Sequence, residues 1–104
     1  MKNEFGLNQK VVCADGFTMS VQANANAYSS PKMNGASVYT EVEIGFPSAK
    51  EELLMEWCDE PSRPTETVYG YVPTQVVTNV IAKHGGMVEG EVPAGVAPIR
   101  ASSR

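Results

Sequence analysis

The chain has no apolar run near the roughly 20 residues that span a bilayer, so no membrane-spanning helix is expected. Its opening stretch, residues 1 to 8, has no apolar segment of the kind that directs export, and a cytosolic protein is the expectation. Histidine and cysteine are scarce: His84, Cys13 and Cys58 are all there is. The two thiols read as small buried hydrophobes, and a disulfide is not expected without export. No His, Cys, Asp or Glu cluster has metal-ligand spacing, so neither metal nor cofactor is expected. The spaced glycines and Lys-Ser/Thr ending of a phosphate loop are missing too. Positive charge is sparse: eight Lys and Arg against twelve Asp and Glu leave a net charge of −4. The basic residues form no stripe, which speaks against direct DNA or RNA binding.

What is there reads as one domain, since 104 residues bury enough surface for a single modest core. Residues 10–14 suggest a short strand. Asp15-Gly16 follows, a dipeptide suited to a two-residue type I′ hairpin turn. Residues 17–23 alternate, with Phe17, Met19, Val21 and Ala23 on one face. Residues 38–46 alternate again, placing Val38, Thr40, Val42, Ile44 and Phe46 inward and Tyr39, Glu41 and Glu43 outward. Ser48 and Glu51 have the spacing of a capping box, opening a helix whose apolar side is Leu53, Leu54, Trp57 and Cys58. Glu51, Glu52 and Glu56 are read as its solvated side, and Trp57 as a core anchor. Pro61 ends it.

A fourth strand, residues 68–72, would turn Val68, Gly70 and Val72 inward and Tyr69 and Tyr71 outward. Pro73 suits the first position of a second helix bearing Val76, Val77, Val80 and Ile81, stopped by Gly85-Gly86. His84, in its last turn, is read as a capping or solvent-facing residue. Residues 87–92 supply a possible edge strand. The expected class is α+β: a mostly antiparallel sheet of four to five strands with two helices on one face, in the order β-β-β-α-β-α(-β). Residues 1–9 are expected to be an N-terminal extension, 10–92 the domain, and 93–104, rich in Pro, Gly, Ala and Ser, a flexible tail.

Three polar places remain. The loop 24–37 carries an aromatic ring, two hydroxyls and a cation in Tyr28, Ser29, Ser30 and Lys32, a set suited to a nucleotide or another flat polar ligand. The alternative is a mobile surface loop. Tyr69 and Tyr71, with Tyr39, form an aromatic set on the non-core face, suited to a pocket or a subunit interface, or else to simple cross-strand packing. Arg63, in the Pro-rich connection 59–67, adds a phosphate-pairing group. The third place is an acidic patch, Glu51, Glu52, Glu56, Asp59, Glu60 and Glu66, which solvation explains and which fits a protein-binding face better than catalysis. No catalytic residue is assigned. Tyr28, Ser29, Ser30, Lys32, Arg63, Tyr69 and Tyr71 are the candidate ligand-binding residues.

Over residues 11 to 86, the succession Val12-Cys-Ala-Asp-Gly-Phe17, Met19-Ser-Val-Gln-Ala23, Tyr28 with Pro31, Val42-Glu-Ile-Gly-Phe-Pro-Ser48 and Thr67-Val-Tyr-Gly-Tyr-Val-Pro73 resembles small accessory proteins of tailed bacteriophages. The resemblance implies expression in the host bacterial cytoplasm and a role in countering bacterial immunity. It carries over no catalytic residue. Under it, the expected function is that of a non-catalytic homo-oligomeric sponge that sequesters a nucleotide-type signal. The alternative is an anti-CRISPR-like inhibitor that binds a host defence protein through its acidic surface. A signal-degrading enzyme comes third.

Overall fold

The computed structural model describes residues 7–101. Five antiparallel strands, β1 (Val11–Cys13), β2 (Thr18–Gln22), β3 (Glu41–Gly45), β4 (Val68–Pro73) and β5 (Met87–Glu89), form one sheet in the order β4-β3-β2-β1-β5. A 3-10 helix (Glu52–Trp57) and an α-helix, α1 (Thr74–Lys83), complete an α+β fold. Among the described residues no helix is long and apolar enough to cross a membrane.

The period-two pattern places the core where a ladder exists to enforce it. Val11 faces Met19, Val21 faces Ile44 and Val42 faces Val72, and all six are fully buried. Val77, Val80 and Ile81 of α1 pack into the same cluster, as their i, i+3, i+4 spacing requires. The helix stops at Gly85 and Gly86, both left-handed (φ +91° and +92°), with the Gly86 amide donating to the Ile81 carbonyl at 2.9 Å. Pro73 sits at the N-cap, one position earlier than expected.

Several local expectations are corrected. The first hairpin has a three-residue loop rather than a type I′ turn. Cys13 N–H donates to the Phe17 carbonyl, Gly16 alone takes positive φ (+94°), and Asp15 Oδ1 accepts from the Phe17 amide. The third strand keeps its alternation only at its centre: Val38 and Phe46 are each 54 % exposed, and Tyr39 is buried. At Phe46 the backbone turns left-handed (φ +50°), while Tyr39 donates its amide to the Ala94 carbonyl and its hydroxyl to the Met33 carbonyl. Ser48 does not cap a helix; its Oγ accepts from the Thr18 amide, and Glu51 caps the 3-10 helix by accepting from the Leu53 amide. With three residues per turn, Leu54 and Trp57 share a side and Leu53 falls off it; Leu54 is buried and Leu53 exposed.

Strand β4 carries the largest correction. Between the pairs Val42–Val72 and Ile44–Tyr69, β3 spends one residue and β4 spends two, Gly70 and Tyr71. Such a bulge slips the parity of one strand by a residue. Tyr71 takes φ +56° and stays exposed, and Tyr69 turns inward and is completely buried, its hydroxyl donating to the Pro64 carbonyl. The two tyrosines therefore occupy opposite faces.

The segments expected to lie outside the domain are also packed, as far as they are described. Asn8 donates its side-chain amide to the Val21 carbonyl and exchanges two further bonds with Gln22. Residues 93–101 fold back: Val96 joins the core, Ala97 N–H donates to Thr78 Oγ1, and Met87 bonds Ile99 and Ala101 through its backbone. Few apolar side chains suffice there because the backbone amides and carbonyls find partners. The remaining parts of the expected extension and tail, 1–6 and 102–104, lie outside the described residues.

Candidate functional site: an aromatic cleft at the edge of β4

The loop that joins β2 to β3 is tied down at several points. Ser30 N–H donates to the Glu41 carbonyl and its hydroxyl to Glu41 Oε1. Ser29 is almost fully buried, its Oγ 3.3 and 3.2 Å from the carbonyl oxygens of Asn24 and Pro31. Tyr28, held between these anchors and Ala27, accepts the Tyr71 amide on its carbonyl at 3.0 Å. That bond satisfies a backbone group freed by the β4 bulge.

Tyr28 and Tyr71 consequently meet, ring centroids 5.9 Å apart and planes tilted by 39°. Lys32 Nζ lies 4.9 Å from the Tyr28 centroid, within cation–π range. The two tyrosines form one wall of a cleft of about 380 Å³. A second part of its wall comes from the end of the 3-10 helix and the turn after it: Glu56, Trp57, Cys58 and Asp59. Asp59 N–H donates to the Val68 carbonyl, which fixes this wall against the outer edge of β4. The floor is Val68 and Gly70.

Gly70 leaves room for the close approach of Tyr28. A Cβ at position 70 would stand 3.2 Å from Tyr28 Cβ, closer than an ordinary contact. Gly70→Ala is expected to push the Tyr28 ring off the strand while costing only about 1 kcal/mol of stability. Near-ultraviolet circular dichroism of the tyrosines with a parallel thermal melt checks this, and an unchanged aromatic signal would refute it.

Of the seven candidate residues, the structure brings Tyr28, Lys32 and Tyr71 together. Ser29 and Ser30 hold the loop and do not line the cleft. Tyr69 is in the core. Arg63 is not among the cleft residues and is bound to Glu66. Trp57 and Gly70 are site residues that the sequence did not single out, and Glu56 and Asp59 belong to the acidic patch read as a protein-binding face. A glycine between two strand tyrosines is the usual mark of a bulge or a close backbone approach, and it was the available signal.

On the same sheet, the outward-facing Glu43 lines an adjoining hollow of about 260 Å³ with Phe46 and Val68. Burial pushes its carboxyl up, an effect opposed by the Tyr28 amide and the Lys32 charge.

A second polar constellation lies at the far end of α1 and corrects the readings of Glu51 and His84. His84 places Nδ1 2.6 Å from Asp15 Oδ2 and Nε2 2.7 Å from Glu51 Oε1, and its ring stacks on Phe17 at 4.1 Å. Glu51, only 2 % exposed, also accepts from Lys83 Nζ at 2.9 Å. Burial alone would lower the His84 pKa, but the bonds to Glu51 and Asp15 outweigh it and raise the value. Burial alone would raise Glu51, and the Leu53 amide, Lys83 and His84 together bring it down. Asp15 is lowered by the Phe17 amide first and His84 second. With a carboxylate on each ring nitrogen, His84 when protonated joins three segments as a cation, and neither nitrogen is open to a substrate. The adjacent Ser48 Oγ is engaged by the Thr18 amide. The constellation works as a structural clamp.

Comparison of the chain with protein-family models, curated proteins and solved structures gave no match.

Proposed function

We propose that this chain is a non-catalytic binding protein that captures a small, flat-ringed ligand in the Tyr28–Tyr71–Trp57 cleft. Its role would be to sequester a nucleotide-type signal, as its resemblance to phage accessory proteins suggests. The observation that carries the reading is the exposed, tilted Tyr28–Tyr71 pair lining, together with Trp57, a cleft of about 380 Å³. This volume is in the range of small-ligand sites. Aromatic walls hold a base by stacking, each worth about 1–3 kcal/mol. Lys32, 4.9 Å from the Tyr28 centroid, would supply the cation for a phosphate.

Trp57 is the one tryptophan, so its fluorescence reports the cleft directly. Titration with purine nucleoside monophosphates is expected to quench it saturably. Tyr71→Ala is expected to weaken binding roughly tenfold or more. Calorimetry that detects no binding to the wild type would overturn the reading.

A second reading is favoured by the exposed carboxylates Glu56, Asp59 and Glu60 beside the cleft. On it, the face docks on a basic surface of a host defence protein. Native mass spectrometry of protein purified from cells with an active nucleotide-signalling defence separates the two, by an added small-molecule mass or a bound host protein.

A further inference from the structure

The two parts of the cleft wall differ in the charge beside them. Lys32 stands against the Tyr28 ring without itself lining the cleft, and Glu56 and Asp59 line it beside Trp57. Elsewhere in the fold carboxylates are engaged: Asp15 and Glu51 by His84, Glu41 by Ser30, Glu66 by Arg63. The carboxylates of Glu56 and Asp59 have no hydrogen-bond or ion-pair partner among the described residues, and both residues are exposed. An ionised carboxylate is an acceptor only. A ring edge that meets these two carboxylates is therefore read by groups that accept and cannot donate.

We propose that the cleft selects a guanine-type ring over an adenine-type ring, with Glu56 and Asp59 as the residues that set the preference. The inference rests on the reading of the cleft as a ring-binding site. Guanine presents two adjacent donors, N1–H and the exocyclic amino group, on its Watson–Crick edge, and a carboxylate meets both. Adenine presents its amino group beside an N1 lone pair, which faces a carboxylate oxygen with like charge. Reading that edge while the ring stacks on aromatic side chains is the usual way a protein recognises an unpaired base. The charge division also orients the ligand: the donor edge lies toward Trp57 and Asp59, and the sugar-phosphate toward Lys32. The same polarity keeps a phosphate away from the two carboxylates.

The experiment is isothermal titration calorimetry of the full chain with guanosine, inosine and adenosine 5′-monophosphates. The variants Glu56→Gln, Asp59→Asn and Tyr71→Ala are tested alongside, each with a thermal melt to show that it folds. Guanosine monophosphate is expected to bind roughly ten- to a hundredfold more tightly than adenosine monophosphate, the discrimination of one bidentate contact. Inosine monophosphate, which keeps N1–H and lacks the amino group, should fall between. The amide variants are expected to bring the guanine and adenine affinities together, because an amide both donates and accepts. Equal or tighter binding of adenosine monophosphate by the wild type would overturn the selectivity and leave ring binding standing. A guanine preference that survives in both amide variants would remove Glu56 and Asp59 from it. Absence of binding by all three nucleotides would sink the ring-binding reading itself.

Discussion

Replacing Glu51 by Gln is expected to cost about 2–4 kcal/mol of stability and to flatten the alkaline side of the pH profile. The side chain is 2 % exposed and both of its oxygens are committed, Oε1 to His84 and Oε2 to the Leu53 amide and Lys83. A glutamine offers one acceptor and one NH2 group, so His84 either loses its partner at Nε2 or gives up its proton to accept there, and the charged pair is lost in both cases. The pH dependence follows from the direction of each shift. His84 is raised from 6.5, so its contribution is complete below about pH 6.5 and is lost as pH rises through the folded value. Asp15 and Glu51 are lowered from 3.8 and 4.5, so theirs is complete above about pH 4.5 and is lost as pH falls through the folded values. Stability from the clamp is therefore greatest between about pH 4.5 and 6.5. Thermal melts from pH 4 to 9 on the wild type, Glu51→Gln and His84→Gln check this. A wild-type profile that stays flat from pH 6.5 to 9, or a Glu51→Gln variant within about 0.5 kcal/mol of wild type, would refute the clamp.

Gly95→Ala is expected to destabilise the fold by roughly 3 kcal/mol, lowering Tm by more than about 10 °C. Gly95 has φ +112°, and a Cβ there would stand 2.2 Å from the Tyr39 carbonyl oxygen. The obstruction is backbone, so no side-chain rotation relieves it. The neighbouring amide-to-carbonyl bond from Tyr39 to Ala94 would break, and Val96 would leave the core. Melting the variant beside a chain truncated after Val92 gives the comparison. The two should lose stability together. A Gly95→Ala protein as stable as the wild type would mean that residues 93–101 do not hold this position.

The candidate site was half legible. Tyr28 and Lys32 stood out because the loop holding them has no pattern that a strand or helix would explain. Tyr71 stood out with Tyr69, and alternation gave no means of separating the two. Only the pairing of β4 with β3 shows that Gly70 and Tyr71 oppose Glu43 alone. Trp57 packs against the core as its spacing with Leu54 suggested, and lines the cleft as well, which no local pattern shows. Arg63 had the right chemistry and is not in the cleft, having its own partner three residues away in Glu66.

What the sequence determined by itself is the set of elements whose cause is local. The alternation of Met19 with Val21 and of Val42 with Ile44, the spacing of Val77, Val80 and Ile81, and the Gly85-Gly86 stop each depend on dihedral preferences and side-chain order within a few residues. Tertiary structure decided everything that needs two distant segments. His84 meets Asp15 and Glu51 across separations of 69 and 33 residues, and Tyr71 meets Tyr28 only because a bulge turns it there. A carboxylate such as Glu51 looks solvated in any local pattern. Its burial is tolerable only once Lys83 and His84 stand beside it, and that is a property of packing.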